Sequence, residues 1–245
     1  MYASTALSPV ENRLLAALPS EQLARLRPSL EKISFVVGDI VYDAGEHLDY
    51  VYFPTSCVIS LVYTTAGGFT GELGLVGNEG AVGIAVFMGG DTTPNQAVVQ
   101  IGGGALKIRA GVLRKEFESN IPFQRLLLLY TQALITQVSQ IAVCNRLHSV
   151  EQRLARRILL CRDRVQSDEL FMTHEFIASM LGCRRQSVTV AANHLQDAGL
   201  IHYARGHITI LDRAGLERQV CECYLAVKSE LDRLLDGQHT LEGRH

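Results

Sequence analysis

The spacing of apolar residues changes character along the chain, and each change marks a different kind of element. From about Glu31 to Ile108 short β-rich runs alternate with glycine turns. The runs are Ile33–Val37, Ile40–Tyr42, Tyr50–Phe53, Val58–Thr64, Phe69–Val76, Ala81–Phe87, Ala97–Ile101 and Ala105–Ile108. The breaks fall at Gly38-Asp39, Gly45-Glu46, Gly67-Gly68, Gly77 to Gly80, Gly89 to Asp91 and Gly102 to Gly104. Even spacing of short strands predicts a closed or rolled antiparallel β domain. Ahead of it, Ser8-Pro9-Val10-Glu11 reads as a helix start, followed by a short helix from Asn12 to Ala17 and another from Glu21 to about Leu30.

From about Pro122 to Leu147 the period becomes helical and the helix carries two apolar seams. One is Leu127, Tyr130, Leu134, Gln137, Ile141 and Cys144; the other is Leu128, Thr131, Ile135, Val138 and Ala142. Two seams on one long helix predict one face for the β domain and one for a partner helix, and the Leu127 to Cys144 seam is assigned to the dimer. Ser149-Val150-Glu151-Gln152 is a capping box that starts a new helix, so a hinge is expected at Leu147 to Ser149. Leu154, Ile158 and Leu159 form the core stripe of that helix, with Arg153, Arg156, Arg157, Arg162 and Arg164 expected mostly outside it.

Thr173 to Leu211 reads as a helix, a tight turn, a second helix and a two-stranded wing. Thr173 caps the first helix, Phe176, Ile177, Met180 and Leu181 form its buried stripe, and Gly182 ends it. The second helix buries Val188, Ala191, Ala192 and Leu195. Its other face carries Gln186, Thr189, Val190 and Asn193, flanked by Arg184, Arg185 and Ser187. Such a pair holds one helix against the major groove of DNA. Arginine there suits phosphate or guanine O6/N7, glutamine suits adenine, and an outward valine suits a thymine methyl or a neighbouring segment. Arg205 and His207 form the wing tip and suit phosphate contact. Asp212 to about Leu235 is expected as a helical tail, with Gly237 to His245 frayed.

The expected fold class is therefore α+β, with four parts: a β-roll with N-terminal helices (1–120), a long helix and hinge (121–148), a winged helix-turn-helix (149–220) and a helical tail (221–245). A chain of 245 residues with 47% hydrophobic and 20% charged residues has a sizeable core to bury. Net charge is −2, which excludes a basic nucleic-acid coat. Ser149 to Val220 nevertheless holds ten arginines against eight acids, weakly favouring DNA. No run approaches the roughly 18 apolar residues of a membrane span, and no signal peptide is seen, so the expectation is a cytoplasmic protein without membrane contact. The six cysteines, Cys57, Cys144, Cys161, Cys183, Cys221 and Cys223, read as scattered reduced thiols. Cys221-x-Cys223 is the only close pair, read as two thiols on an amphipathic helix, and no metal is expected. Gly102 to Gly104 lacks the following Lys and Ser/Thr of a phosphate loop, and no Ser/His/Asp set or HExxH site is apparent, so no enzyme is expected.

A glycine-punctuated roll, a long helix and a winged helix-turn-helix, in that order, resemble the Crp/Fnr superfamily of bacterial transcription regulators over roughly residues 12 to 215. The matching pieces are Gly38-Asp39 through Gly45-Glu46 with Val51-Tyr52-Phe53, Gly77-x-x-Gly80-x-x-Gly83, Glu151-x-Arg153-Leu154-Ala155, and Ile177-Ala178 through Leu181-Gly182. The resemblance implies a homodimer on a two-fold symmetric double-stranded DNA site, a roll that senses a signal, and RNA polymerase as a partner. This chain departs from the pattern of members that bind cyclic AMP: Ile84, not glutamate, follows Gly83, and Pro94-Asn95-Gln96 supplies no arginine before Ala97. No cysteine precedes Cys57, which argues against the N-terminal iron–sulfur cluster of oxygen-sensing members. No cofactor is therefore expected, and an effector of another kind stays open. Where the family often has Arg-Glu-x-x-x-Arg in its recognition helix, this chain has Arg185-Gln186-Ser187-Val188-Thr189-Val190, which implies a different half-site.

Overall fold

The computed structural model describes residues 11–235. The start of the helix signal at Ser8 to Val10 and the expected fraying of Gly237 to His245 lie outside the described residues. Two short helices, α1 (Arg13–Ala16) and α2 (Ser20–Leu26), lead into the roll. The Asn12 side chain caps α1 and also donates to the carbonyls of Pro54 and Gly80 at 2.8 and 3.0 Å, tying the helix to the roll.

Seven strands build the roll: β1 (Glu31–Phe35), β2 (Ile40–Tyr42), β3 (Tyr50–Pro54), β4 (Val58–Thr64), β5 (Thr70–Val76), β6 (Gln96–Ile101) and β7 (Gly103–Arg109). They form two antiparallel sheets, in the orders β1-β7-β3 and β2-β6-β4-β5. Val51, Phe53, Ile59, Val76, Val99, Leu106 and Ile108 point between them and are fully buried. The expected strand Ala81–Phe87 is not one. It makes a single bridge, Tyr52 to Val82, and then turns through Gly83 (φ 101°) into a short 3-10 turn at Ile84–Val86. A continuous apolar run does not distinguish a buried strand from a buried turn.

After β7 comes α3 (Ala110–Ser119), which the sequence pattern did not assign, and then α4 (Ile121–Leu147). Asn120 caps α4 by accepting from Phe123 N at 3.2 Å, with Pro122 in its first turn. The helix ends at His148, and α5 (Val150–Val165) begins with the expected capping box of Ser149 and Gln152. The winged domain follows as β8 (Glu169–Phe171), α6 (His174–Leu181), α7 (Arg185–Asp197), β9 (Ile201–Ala204) and β10 (His207–Ile210), with α8 (Arg213–Gln219) after the wing. Its sheet has three strands, in the order β8-β10-β9, because β8 joins the expected hairpin. The tail is not one helix: α8 stops at Gln219 and α9 (Cys223–Leu235) folds back against α4.

Two expectations are corrected by packing. The seam assigned to the dimer, Leu127, Tyr130, Leu134, Gln137, Ile141 and Cys144, is buried within the single chain. Tyr130 donates to the Ala81 carbonyl at 2.9 Å and Gln137 accepts from Leu75 N at 2.6 Å, so the polar members of the seam are bound to the roll's own backbone. The other seam faces outward, with Leu128 51% and Ile135 58% exposed, although Thr131 is buried. Likewise Arg153, Arg156, Arg157 and Arg164 are buried, not solvated. Arg157 forms an ion pair with Glu72 of β5 at 2.8 Å and donates to Gln100 of β6 at 2.6 Å. Arg164 pairs with Glu79 at 2.7 Å and donates to the Leu75 carbonyl at 3.1 Å. These arginines fasten α5 to the roll, and Val58 and Leu75 of the roll share an apolar cluster with the winged domain.

The glycine spacing around residue 80 has a direct cause. A Cβ on Gly77 would lie 2.6 Å from Arg164 Cγ, and one on Gly80 would lie 2.6 Å from Tyr130 Cζ. Both glycines leave room for a large side chain arriving from a helix.

Candidate nucleic-acid interface

The two helices of the motif are set by local chemistry. Thr173 Oγ1 accepts from Phe176 N at 3.2 Å and so caps α6. Gly182 closes α6 in the left-handed conformation at φ 58°. Ile177, Ala178 and Leu181 of α6 and Val188, Ala191, Ala192 and Leu195 of α7 bury against Leu154, Ile158 and Leu159 of α5. Arg153 donates to the Leu181 carbonyl, satisfying one of the orphan acceptors at the end of α6.

Burial of that face leaves the opposite one outward. Arg184, Arg185, Gln186, Val190 and Asn193 are exposed along α7, and Ser187 and Thr189 are half-buried. Arg184 holds the N-cap position in extended conformation without a side-chain cap bond, so the first N–H groups of α7 keep no side-chain acceptor from it. Val190 is 47% exposed and lines a shallow groove with Arg184, Gln186, Ser187 and His194. The wing turns at Arg205 (φ 50°) and Gly206 (φ 87°), placing Arg205 and His207 at its exposed tip. Phe171 packs edge-on against His207, with ring centroids 5.0 Å apart.

Not every residue singled out in the sequence is equally free. The Thr173 hydroxyl is engaged as the cap. Thr189 Oγ1 donates to the Arg185 carbonyl at 3.2 Å and lies 3.1 Å from His174 Nδ1. His174 in turn stacks on Tyr203 of the wing at 4.2 Å, and Tyr203 donates to the Met172 carbonyl at 2.9 Å. Thr189, His174 and Tyr203 therefore lock α7, α6 and the wing to one another. Burial, helped by the nearby Arg185, pushes the His174 pKa down, which favours the neutral ring. The sequence pattern missed His174 and Tyr203 because their roles come from a contact between separate elements.

A second candidate site is a cavity of about 460 Å³ between the roll and α4. It is lined by Tyr42, Leu61, Leu73, Gly83, Ile84 and Asn95 on the roll side and by Leu134, Ile135 and Val138 on the helix side, with no charged residue in its wall among the described residues. Asn95 donates to the Tyr42 hydroxyl at 3.0 Å, and burial raises the Tyr42 pKa to about 12. The expectation of scattered thiols fails for three of the six cysteines. Cys144, Cys221 and Cys223 meet His148 with their donor atoms all within 4.8 Å of one another.

Residues 152–219 match the family model of the Crp-like helix-turn-helix domain. The fold over most of the chain is shared with solved structures. FixK2 from Bradyrhizobium japonicum superposes with a TM-score of 0.66 at 16% identity, over 78% of this chain and 98% of its own. A putative transcriptional regulator of the Crp/Fnr family from Eubacterium rectale gives 0.66 at 19% identity, over 86% and 98%. The cyclic-di-GMP-responsive global regulator CLP of Xanthomonas campestris gives 0.64 at 15% identity, over 79% and 100%. The chain has the Crp/Fnr fold. No curated protein matches it by sequence. The long helix α4 is long enough to cross a membrane and has an 18-residue stretch with a mean hydropathy of 1.4, yet one face of it is packed on the roll.

Proposed function

We propose that this chain is a sequence-specific DNA-binding transcription regulator that works as a homodimer in the cytoplasm. The observation that carries the reading is the outward face of α7. Arg184 and Arg185 stand at its N-terminus, Gln186, Val190 and Asn193 run along it, and the Arg205 wing tip lies in the same domain. The N-terminal arginines and the wing suit phosphates, and Gln186, Asn193 and Val190 suit adenine edges and thymine methyls. The Thr173 and Thr189 hydroxyls serve mainly to hold the motif together. Dimerisation runs through the outward seam of α4, where Leu128, Ile135 and Ala142 recur at heptad spacing with Val138 between them. RNA polymerase is the downstream partner that the resemblance implies.

The uncharged cavity supports an effector other than an ordinary cyclic nucleotide. A phosphate there would lack a compensating cation. Because Ile135 and Val138 belong both to the cavity wall and to the outward seam, an apolar effector would bear on the dimer directly.

Selection of bound sequences from random DNA tests the reading. It should return a palindrome with half-sites about 10 bp apart or a multiple of that. Arg184→Ala with Arg185→Ala should weaken binding and lower the salt slope by about one for each phosphate that is no longer neutralised. Failure to recover any preferred sequence at moderate salt would refute it.

A further inference from the structure

We propose that Cys144, His148, Cys221 and Cys223 bind a single tetrahedral zinc ion that clamps the start of α9 to the end of α4. Cys144 and His148 are four residues apart at the C-terminal end of α4, so they share a face of the helix. Cys221 comes from the turn between α8 and α9, and Cys223 is the first residue of α9. The four donor atoms lie within 4.8 Å of one another, and the three cysteines are buried.

The distances fit one ion. With Zn–S near 2.3 Å and Zn–N near 2.0–2.1 Å, a tetrahedron has S···S edges of about 3.8 Å and S···N edges of about 3.6 Å. Cys144 Sγ lies 3.6 Å from Cys221 Sγ, and Cys223 Sγ lies 3.6 Å from His148 Nδ1. A disulfide would need about 2.05 Å, and all six cysteines are free. Thiols alone give little reason for the gathering, since they are weak hydrogen-bonding groups.

The surroundings fit as well. With Nδ1 turned to the cluster, the other nitrogen of His148, Nε2, lies 3.3 Å from Glu222 Oε2. A carboxylate on the far side of a ligating imidazole fixes its tautomer and orientation. Three thiolates and one imidazole around a divalent ion leave one net negative charge. Arg156, 3% exposed, places its guanidinium within electrostatic reach of Cys144, and its Nε and Nη1 have no hydrogen-bond partner. A buried cation without a partner is costly unless a negative site faces it. Soft thiolates with imidazole favour zinc over magnesium or calcium, and four protein ligands leave no open position for catalysis. The role is structural: α9 then runs back to bury Leu235 in the roll core, while Tyr224 donates to Asp163 of α5 at 2.6 Å.

The test uses the full chain, purified under reducing conditions without chelator. Elemental analysis should find one zinc per chain. Replacement by cobalt(II) should give the d–d bands of a tetrahedral site and a thiolate-to-cobalt charge-transfer band. Cys223→Ser should lose the charge-transfer intensity of one thiolate, and Cys183→Ser, outside the cluster, should leave stoichiometry and spectrum unchanged. Glu222→Gln alters an exposed residue, so folding is not at stake, and it should weaken zinc binding by about 10–100-fold in a chelator competition. A metal-free protein whose wild-type cobalt titration gives only an octahedral spectrum would overturn the proposal. So would an intact Cys144–Cys221 disulfide in the freshly purified protein.

Discussion

Replacing Arg157 by methionine removes the central cation of the contact between the roll and the winged domain. Arg157 and Glu72 have side chains only 2% and 7% exposed and lie 2.8 Å apart. Glu72 keeps a hydrogen bond from Ser60 Oγ at 2.8 Å, while Gln100 Oε1 is deprived of the Arg157 donor at 2.6 Å. Without the guanidinium a buried carboxylate stands unpaired, which costs about 3–5 kcal/mol. Changing both residues, Arg157→Met with Glu72→Gln, leaves no charge at this contact and should fall within about 1 kcal/mol of the wild type or above it. Urea unfolding followed by circular dichroism measures both variants against each single change, so the pair closes a double-mutant cycle. The reasoning predicts a large coupling energy, with the double variant more stable than either single one. A destabilisation below about 1 kcal/mol in Arg157→Met, or additive effects in the double variant, would show that the pair does not hold the domains together.

Three further outcomes follow from particular contacts. Gly80→Ala forces a Cβ into the buried Tyr130 ring and should cost about 1–3 kcal/mol, read as a lowered thermal midpoint; an unchanged midpoint would mean that Tyr130 is not fixed there. Leu128→Glu, on the exposed seam of α4, should leave the monomer folded and weaken the dimer by at least about 1 kcal/mol per protomer in analytical ultracentrifugation, whereas an unaffected dimer would place the interface elsewhere. The lowered pKa of His174 means that the folded state holds its proton less well than the unfolded chain, so stability is full above the ordinary histidine range and declines as pH falls through it. His174→Gln should flatten that slope in pH-dependent unfolding, and an unchanged slope would assign it to other groups.

Much of this molecule is written in local pattern. The caps at Ser149 and Thr173, the stop at Gly182 and most roll strands follow from turn chemistry and period, which act over a few residues. What the pattern missed depends on distant partners. Arg153, Arg157 and Arg164 lie at spacings that share one helix face, and Glu72 interrupts an apolar strand; together those are the signature of buried pairs, but neither half reveals the other. The two seams of α4 are equally apolar in sequence, and only the binding of Tyr130 and Gln137 to roll backbone shows which one faces inward. Cys144 and His148 are separated from Cys221 by more than seventy residues, so their meeting depends on α9 folding back.

The same long-range contacts connect the proposed sensor to the proposed reader. The cavity wall includes Leu134, Ile135 and Val138, so a ligand there and a second copy on the outward seam would meet at Ile135 and Val138 of α4. The end of α4 leads through His148 into α5, whose Arg157 and Arg164 are paired with the roll and whose Leu154 and Ile158 carry the helix-turn-helix. A ligand changes DNA binding only if it favours one arrangement of these contacts over another. The buried ion pairs set what a shift of α5 would cost. If an effector moves α7 by undocking the winged domain, the uncharged Arg157→Met, Glu72→Gln pair should change the effector response as well as stability, because it alters the docked arrangement directly. Measuring DNA affinity across an effector titration in that variant separates undocking from a rearrangement confined to the α4 seam, which the double change would leave intact.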